Sequence, residues 1–298
     1  MSRSPWDEAK ARRQAERPVE KADTGARPTQ APRGRPPERA EQGVRAQDER
    51  RGPREKREPE LRLYGWNACM AAFRRRPQDL RKVYLHARRM PEMGEVLAYC
   101  VEQRLGYRLV EEEDLNRLSG SQHHEGLCFD MRWPTPPSLT RLLSQASDAC
   151  LLVWLDGVGN PHNLGAILRS AAHFGVSAVL SPARAGVRLS GAAARVAEGG
   201  AEAVPLLSVD DVDGAWRLLR AERFTRIATL PVSGNSVFRS DIPARSLFVL
   251  GAEQTGMNPS TLEHCDLQIA IPGSGEVESL NVASAAAVMF AEWARRWA

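Results

Sequence analysis

Three segments rich in glycine and asparagine hold the residue types that could do chemistry. They are DGVGNPHNLGAILRSAAHFG at 156–175, LGAEQTGM at 250–257 and IPGSGEVESLNVASAAAVMF at 271–290. Asn163 and Arg169 stand out in the first, Glu253 in the second, and Ser279 and Asn281 in the third. Glycines here let a backbone approach a ligand closely, because no Cβ holds it away. The first segment begins like a dinucleotide-binding turn, but His162 occupies the position where G-x-G-x-x-G needs its third glycine. No G-x-x-x-x-G-K-[ST] occurs, which excludes a P-loop. Plainer roles exist for each candidate. Asn163 and Asn281 could be helix N-caps, Glu253 could favour a following helix through its dipole, and Arg169 could be an interface or ion-pair residue. His123, His124, His162 and His264 show no metal-ligand spacing, so no metal site is expected.

The frame for these residues is read from hydrophobic periodicity. Six apolar strand-like runs, 151–156, 176–181, 204–207, 225–230, 247–251 and 267–271, alternate with helical patterns, and a last helix is expected from about Leu280 to Trp297. This pattern predicts an α/β fold with a mostly parallel sheet covered by helices on both faces. Ligands in such sheets sit beyond the carboxyl ends of the strands, where the three segments lie. Before it, residues 61–133 read as a small α/β domain. It has strands at 82–87, 107–111 and 126–133 and an amphipathic helix from Met90 to Leu105. In the last strand Leu127, Phe129, Met131 and Trp133 are expected to face one way and Cys128, Asp130 and Arg132 the other. Residues 134–148 read as a linker, because three prolines at 134, 136 and 137 interrupt any regular element. The domain that carries the three segments would then be residues 149–298.

Charge is unevenly divided. Residues 1–60 hold 16 Lys and Arg against 12 Asp and Glu, while residues 61–298 hold 25 of each, so the net +4 belongs to the first segment. That segment has eight prolines and one aromatic, Trp6, and reads as a disordered Arg/Pro-rich tail. It is either an arm attracted to phosphates or a solubilising tail. Arg74, Arg75, Arg76, Arg81, Lys82, Arg88 and Arg89 form a second basic run, either a solvated face or an RNA contact. Five scattered cysteines without C-x-x-C spacing fit a reducing compartment rather than a disulfide framework. No secretory signal or membrane-length apolar run is found, so a cytoplasmic protein with no membrane partner is expected.

In order, spacing and wording the three segments resemble the motifs of the SpoU/TrmH family of RNA ribose methyltransferases, within the SPOUT superfamily. GWNACMAAFRR at 65–75 and HHEGL at 123–127 resemble the small substrate-binding domain of some members. The resemblance implies an S-adenosylmethionine-dependent transfer of a methyl group to a ribose 2′-hydroxyl of tRNA or rRNA. It implies a trefoil knot in the C-terminal domain and a homodimer, with the small-residue faces Ala166/Ser170/His173 and Ala285/Val288/Ala291 at the interface. It aligns Asn163, Arg169, Glu253, Ser279 and Asn281 with catalytic positions, and Gly251, Ile271 and Leu280 with cofactor-binding positions. A guanidinium stays protonated, so Arg169 would hold substrate phosphate and stabilise the forming oxyanion rather than act as a base. The family continues S-L-N-V-S where this chain has Ala283 before Ser284. A catalytically silent RNA-binding protein on the same scaffold is the alternative, and a base-methylating SPOUT enzyme is a third reading.

Overall fold

A computed structural model describes residues 60–298, so the reading of the amino-terminal tail falls outside the described residues apart from Glu60. The first part runs β1 (Glu60–Tyr64), α1 (Trp66–Arg75), β2 (Leu80–Leu85), α2 (Gly94–Glu102), β3 (Gly106–Leu109), α3 (Glu112–Ser119) and β4 (Leu127–Arg132). These strands form one sheet in the order β1-β4-β2-β3, with β4 antiparallel to both neighbours and β3 parallel to β2. The strand β1 was not foreseen from the sequence.

The helix expected over 90–105 is shorter and starts later. Ala87–Glu92 form a 3-10 turn containing Pro91, and the α-helix opens only at Gly94. Proline supplies no N–H to an α-helical ladder, so the chain completes a tighter turn first. The strand β4 is also buried on both faces rather than on one. Leu127, Phe129 and Met131 join the main core, while Cys128 packs with Tyr64, Tyr84 and Leu115. The buried Asp130 carboxylate accepts from Arg62 Nε at 2.7 Å, which satisfies the one buried charge on that second face.

The expected linker holds a short helix, α4 (Leu139–Ser144), capped by Ser138 and anchored by the buried Leu143. Beyond it come β5 (Cys150–Asp156), α5 (Pro161–His173), β6 (Ala178–Pro182), α6 (Gly191–Val196), α7 (Gly200–Ala203), β7 (Leu206–Val209), α8 (Val212–Ala221) and β8 (Thr225–Leu230). They are followed by β9 (Asn235–Ser236), β10 (Arg245–Gly251), α9 (Pro259–Leu262), β11 (Leu267–Ala270) and α10 (Val282–Trp297). The seven strands pair in the order β7-β6-β5-β10-β8-β11-β9, every pair parallel. A parallel sheet flanked by helices is what the alternation predicted. The two-residue strand β9 is too short to leave a periodic signal.

The inner strand β5 explains the two-sided burial. Leu151, Val153 and Leu155 enter one core with α5 and α10, and Leu152 and Trp154 enter another with α8. The first core runs on without a break into the small sheet through Leu61, Leu63 and Phe129. Two glycines permit this contact. A Cβ at Gly191 would lie 2.4 Å from the Arg62 carbonyl oxygen, and one at Gly165 would lie 2.5 Å from that of Ala193. Helix α6 is thereby pressed between β1 and α5. Four of the five cysteines are buried, and all five are free.

Candidate active site

The carboxyl ends of β5, β10, β8 and β11 form one edge of the large sheet. Asp156 pairs in register with Gly251, Leu250 with Thr229, and Ala270 with Leu230, so the strands end level. Each of the three glycine-rich segments leaves the sheet at this edge, and their side chains meet beyond it.

Asn160 opens α5, its side chain accepting from His162 N at 2.9 Å with Pro161 at the first helical position. Asn163 is therefore not the cap that its position suggested. It lies inside the first turn, buried, and its Oδ1 accepts from Asn281 Nδ2 at 3.1 Å. The same Nδ2 donates to Glu253 Oε1 at 2.6 Å. Asn281 also caps α10, its Oδ1 accepting from Ala283 N at 2.9 Å and Ser284 N at 3.4 Å. All the hydrogen-bonding capacity of this one amide is engaged, and it joins the first, second and third segments. Glu253 further accepts from Val282 N at 3.4 Å, so its negative charge faces the positive end of α10. Its expected role at the helix that follows it in sequence is taken by Asn258, which caps α9.

Gly251 is required by its own loop. Ala252 and Gly256 exchange backbone hydrogen bonds at 3.0 and 2.9 Å, folding residues 252–256 back onto the strand end. A Cβ on Gly251 would lie 2.7 Å from Met257 N and 2.8 Å from the Gly256 carbonyl carbon. This loop is pinned a second time, by Asp156 Oδ2 accepting from Asn258 N at 2.7 Å. Asp156, Asn160 and Asn258 were missed in the sequence, although each is a short polar residue at a strand end or helix start, the usual place for such a tie. Ile271 is half-buried beside Gly251's edge of the sheet, and Leu280 is exposed to 48%. Ser279 is exposed and makes no hydrogen bond among the described residues. Ala283 is buried in the core.

Arg169 does not join this cluster. Six residues separate it from Asn163, which in a helix is about 9 Å of rise and roughly 240° of rotation. Its side chain is exposed on the far face of α5, without a hydrogen bond or ion pair among the described residues. It lines a separate cleft with Asn67, His173, Phe174 and Glu198.

The basic run at 74–89 is only partly a solvated face. Arg76 is buried, donating to Glu202 at 2.8 and 2.9 Å and to the Arg132 carbonyl at 2.6 Å. Burial works against its charge, but Glu202 and Asp79 outweigh that and raise its pKa. Arg88 pairs with Glu112 at 2.6 Å, and Arg89 with Glu92 at 2.9 Å. Lys82 lies 4.8 Å from the Tyr84 ring centre. Arg74 and Arg75, at the end of α1, are exposed. The HHEGL segment is structural as well. Glu125 Oε2 accepts from Trp66 N at 2.9 Å, and the buried His124 Nδ1 accepts from Gly126 N at 3.0 Å. Burial holds the His124 pKa below its ordinary value.

Comparison with known proteins decides the family. The profile of the SpoU rRNA Methylase family matches residues 150–291, and that of the RNA 2′-O ribose methyltransferase substrate-binding family matches residues 62–137. An uncharacterized tRNA/rRNA methyltransferase, YfiF of Escherichia coli O157:H7, is 35% identical over 243 residues, 82% of this chain and 70% of that protein. The chain belongs to the SpoU family. Another member, the 23S rRNA (guanosine-2′-O-)-methyltransferase RlmB of Escherichia coli strain K12, is 34% identical over 78% of this chain and 98% of its own length. Solved SpoU structures share the fold. A putative TrmH-family RNA methyltransferase from Porphyromonas gingivalis matches at TM-score 0.65 and 24% identity, over 80% of this chain and 91% of its own. AviRb from Streptomyces viridochromogenes, solved in complex with AdoMet, matches at TM-score 0.65 and 21% identity, over 80% and 90%. Among the described residues of this SpoU protein, no helix is long and apolar enough to cross a membrane.

Proposed function

We propose that this SpoU protein transfers a methyl group from S-adenosylmethionine to a ribose 2′-hydroxyl of tRNA or rRNA. The observation that carries this reading is the Asn281 amide, which joins Asn163 and Glu253 beyond the level strand ends, one of which is Gly251. The residues present fit that cofactor. Leu280 and Val277, in the segment that follows β11, expose 48% and 69% of their surface, apolar area suited to an adenine face. A Cβ at Gly273 or Gly275 would meet open space, so the segment between Ile271 and Leu280 leaves room for a ligand. Gly251, Ile271 and Leu280 would hold it, with backbone groups reading the adenine edge. The cofactor supplies a methyl group already activated on a sulfonium.

The other roles belong to this chain's own residues. Asn281 fixes Glu253 and Asn163 in one arrangement before the reaction, so little reorganisation remains at the transition state. Ser279, which has no partner among the described residues, is available to the substrate. Arg169 holds an RNA phosphate and stabilises the oxyanion as the hydroxyl loses its proton. Arg169 lies on the opposite face of α5 from Asn163, so we assign the working form as a homodimer in which one copy's Arg169 serves the other's cofactor site. The half-buried small residues Ala166, Ser170, Ala285 and Ala291 support close packing of α5 and α10 across such an interface. We assign residues 61–133 as the RNA substrate-binding domain and 149–298 as the methyltransferase domain, joined by 134–148. The carboxyl-terminal segment would be threaded as a trefoil knot, and we assign the reaction to the cytoplasm.

The test is transfer of labelled methyl from S-adenosylmethionine to total RNA, followed by mapping of the labelled position. The reading requires a 2′-O-methyl product and its loss in Asn281→Ala. Label on a base, or none in wild type, would overturn it.

A further inference from the structure

Residues 251–258 carry Gly251 and Glu253, yet little apolar packing holds them. Residues 253–256 are all exposed, with the half-buried Ala252 and Met257 on either side. A segment of this kind opens locally at small cost, so its shape depends on its hydrogen bonds. Ala252 and Gly256 close the turn on itself. Asn281 and Val282 hold Glu253 within it. Asp156 Oδ2 holds its far end, accepting from Asn258 N at 2.7 Å.

Asp156 stands where it governs both ends of the loop. It terminates β5 in register with Gly251, so the loop leaves the sheet beside it, and its carboxylate meets the loop again at Asn258. The next residue adds to the fit. Gly157 turns the chain at φ 83, and a Cβ there would lie 3.2 Å from Ala252 Cβ. From Asn258 the tie continues into α9, because Asn258 Oδ1 accepts from Ser260 N at 3.1 Å and from Ser260 Oγ at 3.0 Å. A side chain from another strand thus closes the loop at its base.

The apparent affinity of a ligand falls in proportion as its binding-competent conformation becomes rarer in the free protein. A residue that only maintains that conformation changes affinity and leaves the bound complex as it was. We propose that Asp156 is a positioning residue for S-adenosylmethionine, holding residues 251–258 in their binding shape before the cofactor arrives. It acts through the Asn258 N–H and not on the cofactor. This assignment rests on the reading of the 251–258 loop as part of the cofactor site, and adds to that site a residue outside the aligned positions.

The test uses the full chain. Calorimetric titration with S-adenosylmethionine should give Asp156→Ala a dissociation constant about tenfold above wild type, the size of one hydrogen bond to a charged group. Asp156→Asn keeps an acceptor at the same reach and should stay within about twofold of wild type. In the methyl-transfer assay on total RNA, the loss in Asp156→Ala should appear in KM for the cofactor and not in kcat. Hydrogen exchange gives a reading without the cofactor. The amides of 252–258 should exchange faster in free Asp156→Ala than in wild type, and near the wild-type rate in Asp156→Asn. Asp156→Ser, whose hydroxyl is one atom too short to reach Asn258, replaces Asp156→Ala if that variant does not fold. Unchanged affinity in Asp156→Ala, or an Asp156→Asn as weak as Asp156→Ala, would overturn the proposal, and so would a loss confined to kcat. A wild type that binds no S-adenosylmethionine overturns the cofactor reading as well. A wild type that binds it, with Asp156→Ala unaffected, overturns this inference alone.

Discussion

Asn281 Nδ2 donates to Glu253 Oε1 at 2.6 Å, tying the start of the last helix to a loop 28 residues earlier in the chain. The same amide caps its own helix through Oδ1. Capping and tying can be separated by substitution. Asn281→Ser keeps a cap oxygen but cannot reach both Glu253 and Asn163, so thermal stability should stay near wild type while methyl transfer falls by about 10²-fold. Asn281→Ala should lose the cap as well, at a further cost of about 1 kcal/mol. Thermal melts read beside transfer assays distinguish the two. Full activity in Asn281→Ser would reduce Asn281 to a cap.

Gly251→Ala should displace the 252–256 loop, because the new Cβ would sit 2.7 Å from Met257 N. The displaced loop carries Glu253 away from Asn281. Affinity for S-adenosylmethionine should drop at least tenfold while the strand β10 stays paired. Calorimetric titration measures this directly, and unchanged affinity would remove the loop from the cofactor site.

The buried Arg76–Glu202 pair should behave as a coupled unit. Arg76→Met alone leaves the Glu202 carboxylate, 7% exposed, without its partner, a loss on the order of 3–5 kcal/mol. The double variant Arg76→Met/Glu202→Leu should recover most of it, because two apolar side chains can replace a buried pair. Urea denaturation of both variants checks the difference. Equal stability of the single and double variants would mean that the pair is not coupled.

Acid should weaken the carboxyl-terminal helix through Glu292. Arg295 and Arg296 hold its carboxyl down to about 2, from 4.5. Arg296 also donates to the Ser240 carbonyl at 2.7 Å, linking α10 to the segment after β9. A carboxyl with a lowered folded-state pKa contributes stability that is complete above the unfolded value. That contribution is lost as the pH falls through the interval from 4.5 to about 2. Denaturation midpoints measured between pH 5 and 2.5 should therefore fall more steeply in wild type than in Glu292→Gln. Parallel curves would show that the pair contributes nothing to folding.

The strands of the large sheet were legible because burial on both faces leaves continuous apolar runs, as in Leu151–Leu155. The segments at the site were legible as motifs, but their geometry was not. Nothing local says that Asn163 lies within a helix opened by Asn160, or that Glu253 serves α10 rather than α9. Both facts depend on how strands far apart in sequence pair, which periodicity does not encode. The basic run at 74–89 misled for the same reason. Charge density is visible in a sequence, whereas the Glu202 that neutralises Arg76 lies 126 residues away. Strand β4 read as one-sided because Cys128 and Asp130 look polar. Tertiary partners, the tyrosine and leucine cluster and Arg62, bury that face too.

Arg169 should behave differently from the proposed cofactor positions. Arg169→Ala should leave S-adenosylmethionine affinity nearly unchanged and lower turnover by ~10²-fold or more. Arg169→Lys should restore little, since an ammonium does not reproduce a planar two-point grip on phosphate. Unfolding of Arg169→Ala would instead make the arginine structural.

The most direct test of methyl transfer to ribose is the map of 2′-O-methyl positions in total RNA from cells with and without this protein. One position, in tRNA or rRNA, should lose its methyl group in the deletion strain. It should regain it with the wild-type chain, and stay unmethylated with Arg169→Ala or Asn281→Ala. An identical map in all five strains would contradict the account, and so would restoration by Asn281→Ala.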